Sequence, residues 1–186
     1  ALERTQELLY FLREAVADTT PQDGWCCARI AEVMESLAHA HARHVVHRDI
    51  KPANVLLDRH GNARLSDFGV ARLLDRTGIT MVGDIVGTAA YMAPEQARGR
   101  EVTPATDVYA ASLLLYELLT GVSPFNAREP LVAMRRAALG ERTPLDQARP
   151  DLAPRLVQVV EAGLSLDPER RPPAARMAQE LRDLAT

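Results

Sequence analysis

The stretch His47-Arg48-Asp49-Ile50-Lys51-Pro52-Ala53-Asn54 decides how the chain is to be read. Asp49 and Lys51 lie two residues apart, so in an extended loop both side chains point the same way. Seven defined residues at this spacing would recur by chance at about one in a billion per position. Immediately downstream, Val55 to Leu57 and Ala63 to Ser66 read as two short strands. Arg59-His60-Gly61-Asn62 between them is a hairpin turn. Eighteen residues past Asp49 comes Asp67-Phe68-Gly69, then Gly87-Thr88 and Ala93-Pro94-Glu95. Residues 67 to 105 lack periodicity and read as one long loop, and long loops inside compact domains usually carry function.

Upstream, Leu8, Leu9, Phe11, Leu12 and Val16 give helical spacing over 2–16. A second helix starts at Thr20-Pro21-Gln22-Asp23, with Thr20 as cap and Asp23 closing a capping box. It carries Ile30, Val33, Met34, Leu37 and Ala38 and runs to about Arg43. After the loop the chain reads as helical at roughly 107–120, 128–139, 153–166 and 173–185. No repeat, low-complexity tract or long linker divides it.

The chain has 186 residues, 47% hydrophobic and 25% charged, which suits one globular domain with its own core. A net charge of −3 and a pI near 6.0 argue against a charge-driven nucleic-acid surface. The longest apolar stretch, Val108 to Leu119, is interrupted by Ser112 and Glu117, so no membrane span is expected. Cys26 and Cys27 are adjacent, and neighbouring cysteines rarely form a relaxed disulfide, which points to a reducing, cytoplasmic setting. No basic-then-apolar signal pattern is read at the start, and Ala1 is expected to be a cut inside a longer chain, whose other parts could be anchored in a membrane, or a trimmed end. Of the 22 basic residues, 21 are Arg and one is Lys51. A lone lysine in an arginine background invites a chemical reason, since the two differ wherever a point charge is needed.

With these motifs in order, the chain resembles the eukaryotic-type serine/threonine protein kinases, especially their bacterial members. The resemblance implies an α+β, mostly α fold: the C-terminal lobe of a kinase, a helical bundle with a short β-hairpin. It places a catalytic loop at 47–54, an activation segment at 67–95 and a helical subdomain at 106–186, one domain over 1–186. It implies transfer of the γ-phosphate of ATP, with Mg²⁺ or Mn²⁺, to Ser or Thr hydroxyls of proteins.

Phosphoryl transfer needs positioning and charge neutralisation more than covalent help. Asp49 would accept or orient the hydroxyl proton. Lys51 would set a compact positive charge on the γ-phosphate. Asn54 and Asp67 offer the oxygen ligands a hard cation prefers. By resemblance, His47 packs against Phe68 and Leu56 floors the adenine. Arg48 marks kinases switched by a phosphate on the activation segment, with Thr77 and Thr80 as candidate acceptors and Asp84 as a possible permanent charge. Gly87 and Thr88 belong to the substrate loop, where Thr88 would bridge Asp49 and Lys51. Glu95 and Arg171 match a buried ion pair, and Asp107 matches the residue that holds the catalytic loop from below. Ser112 stands where relatives often have Gly, and Ala53 where some have Glu. His39, His41, His44 and His47 form a histidine-rich stretch, but His39 and His41 face apart on a helix and are not read as a metal site.

No G-x-G-x-x-G precedes residue 47 and no V-A-I-K strand appears. With Lys51 assigned, no second lysine can pair with ATP. The expectation is that the strand-rich N-terminal lobe is absent and that this stretch alone is inactive. Two other readings stand beside it: a truncated pseudokinase acting as a docking module, and a small-molecule phosphotransferase sharing His-x-Asp-x-x-x-x-Asn.

Overall fold

The computed structural model describes residues 23–68, 90–125 and 129–185. Helix α1 (Asp23–His41) buries Cys26, Cys27, Ile30, Val33, Met34 and Leu37 along one face. It ends two residues earlier than its periodicity suggests, because His44 turns the chain with a left-handed φ of 59°. The expected helix at 2–16 and the capping residues Thr20 to Gln22 lie outside the described residues.

The chain then runs through a 3₁₀ turn (Pro52–Asn54) into β1 (Val55–Leu57) and β2 (Ala63–Leu65), an antiparallel pair with Val55 opposite Leu65 and Leu57 opposite Ala63. Asp58 shapes the turn between them, accepting from the backbone N–H of His60 (2.9 Å) and Asn62 (3.0 Å). Those bonds favour the ionised carboxylate and hold its pKa down at about 2. Gly61 takes a φ of 78° there, a region only glycine enters freely. The turn is also tied to α1. Arg29 donates to the Gly61 carbonyl and to Asn62 Oδ1, and Glu32 accepts from the Ala63 N–H at 2.5 Å.

Of the stretch read as one loop, the described part at 90–105 is more ordered than its lack of periodicity suggests. It contains α2 (Pro94–Ala97), a single turn too short to show a period. Helix α3 (Pro104–Thr120) begins three residues before the expected position. Pro104 suits the first helical position, and the Thr106 hydroxyl accepts from the Thr103 N–H at 3.2 Å. Gly121 closes α3 in the left-handed conformation with φ 72°.

Helices α4 (Pro130–Leu139), α5 (Leu145–Ala148), α6 (Pro154–Gly163) and α7 (Ala174–Leu184) follow, with a 3₁₀ turn at Pro168–Arg170 before α7. The single-turn α5 escaped the sequence reading for the same reason as α2. Helix α3 is buried nearly all round, from Val108 and Tyr109 to Leu115 and Leu119, and serves as the central post. α1 packs on one side of it with Met177 and Leu181 of α7, and Val159 and Val160 of α6 complete the core. At the α3–α6 crossing a Cβ on Gly163 would overlap the hydroxyl of Ser112 and meet Met177 Cε at 3.0 Å. Among the described residues the fold is therefore a helical body carrying one two-stranded sheet. No helix among them is long and apolar enough to cross a membrane.

Candidate active site

The loop between α1 and β1 is fixed from beneath by a buried carboxylate. Asp107, in the first turn of α3, accepts from the His47 N–H through Oδ2 and from the Arg48 N–H through Oδ1, both at 2.8 Å. His41 at the end of α1 meets the same Oδ2 at 2.8 Å. Of the four histidines, His41 thus braces the loop, a role that helical spacing alone did not reveal. His47 is fully buried. Its Nε2 donates to the Ser66 carbonyl at 2.8 Å, so its Nδ1 is left to accept from the Asp49 N–H at 3.3 Å. The His47 ring meets Phe68 edge-on, with centroids 4.9 Å apart. One imidazole therefore joins the start of the loop to the residues that follow β2.

Asp49 sits at the centre. Its Oδ2 is shared by Lys51 Nζ at 2.9 Å and Asn54 Nδ2 at 3.1 Å. Asn54 also donates to the Asp49 carbonyl at 2.7 Å. Asp49 Oδ1 is buried and has no hydrogen-bond partner among the described residues. An acceptor left in that state costs about 1–3 kcal/mol.

The hairpin brings Asn54 and Asp67 together. The Asn54 carbonyl accepts from the Ser66 N–H at 2.9 Å and from Ser66 Oγ at 3.2 Å, which puts Asp67 one residue beyond Asn54's cross-strand neighbour. With its amide nitrogen turned inward to Asp49, Asn54 keeps its amide oxygen for another ligand, and the Asp67 carboxylate is exposed. This all-oxygen pair fits Mg²⁺, which is usually held by one or two such side chains together with phosphates and water. Among the described residues no cluster of three His, Cys, Asp or Glu side chains forms a closed metal cage. Leu56, in the middle of β1, is 46% exposed and leaves an apolar surface beside these groups.

Two residues of the site carry unusual backbone. Arg48 has φ 73° and Asp67 has φ 60°. Non-glycine residues there cost about 1–2 kcal/mol each and are retained where the surroundings enforce them.

α2 is anchored by a second buried carboxylate. Glu95 takes a two-pronged ion pair from Arg171 at 2.6 and 2.9 Å and a hydrogen bond from Thr106 at 2.9 Å. Arg171 also donates to the carbonyls of Ser165 (2.8 Å) and Ala105 (3.0 Å) and lies over the Tyr109 ring at 4.7 Å. Burial alone would raise the Glu95 pKa, but the Arg171 and Thr106 hydrogen bonds and the Arg171 charge outweigh it and hold the carboxyl below its ordinary value. Gln96, which sequence reasoning passed over, bridges α2 to the loop. Its Oε1 accepts from the Ala93 N–H at 3.0 Å and its Nε2 donates to the Arg48 carbonyl at 2.9 Å.

Thr77, Thr80, Asp84, Gly87 and Thr88 lie outside the described residues, as does Gly69. Cys26 and Cys27 are free and buried beneath the fold. Burial pushes their thiols up to about 11 and about 12, so they stay protonated and take no part in the site.

Among the described residues, a helical body whose α1–β1 loop and following hairpin bring Asp49, Lys51, Asn54 and Asp67 to one side has the arrangement of a phosphoryl-transfer domain. The chain belongs to the protein kinase domain family, which residues 5–181 match. It is 45% identical over 159 residues to the serine/threonine-protein kinase PkaA of Streptomyces coelicolor, an overlap covering 83% of this chain and 28% of that protein. It is 36% identical over 155 residues to the serine/threonine-protein kinase PknB of Mycolicibacterium smegmatis, covering 82% of this chain and 25% of PknB. With PrkC of Bacillus subtilis it shares 43% over 113 residues, 61% of this chain and 17% of the relative. The chain thus spans about a quarter of the length of the first two of these relatives.

Proposed function

We propose that the protein carrying this chain is a serine/threonine protein kinase in which Asp49 receives the proton of the acceptor hydroxyl. The observation that supports this most is the buried, unpartnered Asp49 Oδ1 beside an Oδ2 already shared by Lys51 and Asn54. One oxygen is held and the other is left without a partner among the described residues. As the substrate hydroxyl oxygen bonds to phosphorus, Asp49 Oδ1 takes its proton, and the bond from phosphorus to the ADP oxygen breaks. Lys51, alongside, supplies positive charge to the phosphoryl group in transit. Asn54 and Asp67 hold the divalent cation, which when bound neutralises the phosphates and aligns them. Leu56 supports the adenine from below. Phosphorylation on the activation segment, at Thr80 or Thr77 or mimicked by Asp84, acts through Arg48. Thr88 and Gly87 favour serine or threonine as acceptor.

Protein substrates follow from the family, and a cytoplasmic setting is favoured by the two unpaired thiols. The pseudokinase reading finds no support at Asp49, Asn54 or Asp67, all of which carry side chains able to act. The small-molecule phosphotransferase reading fits poorly with a Glu95-anchored segment of the kind that serves a peptide.

The test is a transfer assay with the intact protein, γ-labelled ATP and Mg²⁺, followed by acid hydrolysis of the labelled products. Phosphoserine or phosphothreonine is expected, and Asp67→Ala removes the label. Label found only on a small molecule would favour the phosphotransferase, and no label at all would favour the docking module.

A further inference from the structure

Arg48 combines a left-handed backbone with a place immediately before Asp49. Such a conformation in a non-glycine residue persists only where its neighbours over-determine it. Here both polar groups of the residue's backbone are held. The N–H is bound by Asp107, and the carbonyl, which belongs to the peptide leading into Asp49, is bound by Gln96 Nε2.

Gln96 divides its amide between two tasks. The oxygen holds the Ala93 N–H at the start of α2, and the nitrogen reaches the catalytic loop 48 residues back in sequence. Its neighbour Glu95 is locked to Arg171 and Thr106, so the donor is mounted on a fixed base. We propose that Gln96 is a positioning residue: its Nε2–H fixes the Arg48 carbonyl and so aims Asp49 at the acceptor hydroxyl. This rests on the reading of Asp49 given above.

Only a side chain with both a donor and an acceptor performs both tasks. Glutamate keeps the oxygen that holds Ala93 but sets a second acceptor against the Arg48 carbonyl. The linking peptide would then rotate about Arg48 ψ and Asp49 φ, carrying the Asp49 side chain with it. Methionine has similar length and neither group. The two variants separate aiming from helix capping.

The experiment compares wild type, Gln96→Glu and Gln96→Met in the intact protein. It records backbone amide shifts and exchange at Arg48, Asp49 and Ala93, the Tm, and the kinetics of transfer. Gln96→Glu should keep Ala93 protected and the Tm near wild type while the Arg48 and Asp49 amides shift. Its kcat should fall about tenfold to a hundredfold while KM for the nucleotide stays within about twofold. Gln96→Met should show the same loss of kcat and, in addition, faster exchange at Ala93. An Asp49 amide unmoved in Gln96→Glu, with wild-type kcat, would overturn the proposal and reduce Gln96 to a cap. Should Gln96→Glu not fold, an unmoved Asp49 amide in Gln96→Met overturns it equally. If wild type transfers no phosphate, the reading of Asp49 fails, while the amide shifts still decide whether Gln96 sets the Arg48 peptide.

Discussion

Asp107 accepts three hydrogen bonds through two oxygens, from the His47 and Arg48 backbone and from His41. Replacing it with asparagine exchanges one oxygen for a donor that faces other donors. Asp107→Asn should therefore cost about 2–3 kcal/mol in chemical denaturation. Glu95 behaves differently because it is paired with a charge. Its folded pKa lies below the ordinary 4.5, so the pair with Arg171 stabilises the protein above the ordinary glutamate range. That contribution is lost as pH falls through the folded value. Arg171→Ala strands a buried carboxylate whose pKa burial then raises, and should cost about 3–5 kcal/mol at neutral pH; the deficit shrinks as pH falls, first as the stranded Glu95 protonates above its ordinary range and then as the wild-type pair is lost below it. A denaturation series across pH would show the two curves converging on the acid side. At this scale the motif residues were legible because the chemistry sits in one short run of sequence. Gln96 and His41 were not, because their partners lie 48 and 66 residues away and no local pattern points to them.

The elements divide by length. α1, α3, α6 and α7 were readable because each shows several turns of apolar spacing, and the hairpin because Gly61-Asn62 separates two short apolar runs. α2 and α5 were not, since a single turn has no period to detect. The closeness of α3 and α6 was also hidden. Ser112, which stands where relatives often have glycine, packs against Gly163. Gly163→Ala should cost about 1–3 kcal/mol by overpacking. Adding Ser112→Gly should recover part of that loss, giving a coupling of about 1–2 kcal/mol in a double-mutant cycle. Strict additivity would mean that the crossing relaxes elsewhere.

The described molecule offers a nucleotide one face. On the proposed reading Leu56 would be an apolar floor and Asn54 and Asp67 would be cation ligands, while Lys51, the sole lysine, is already engaged with Asp49. The 186-residue chain by itself should show no ATP–Mg²⁺ binding in the micromolar range by calorimetry. Each missing charge-assisted contact is worth about 1.5–3 kcal/mol, and about 1.4 kcal/mol is a tenfold change in affinity. Whether Asp49 takes the hydroxyl proton is decided by Asp49→Asn in the intact protein. Single-turnover transfer and nucleotide affinity should be measured side by side. The exchange leaves the shape of the side chain in place and removes its ability to take a proton. Transfer should fall by about 10²–10⁴-fold while ATP affinity stays close to wild type. Transfer retained above about a tenth of wild type would contradict the role assigned to Asp49.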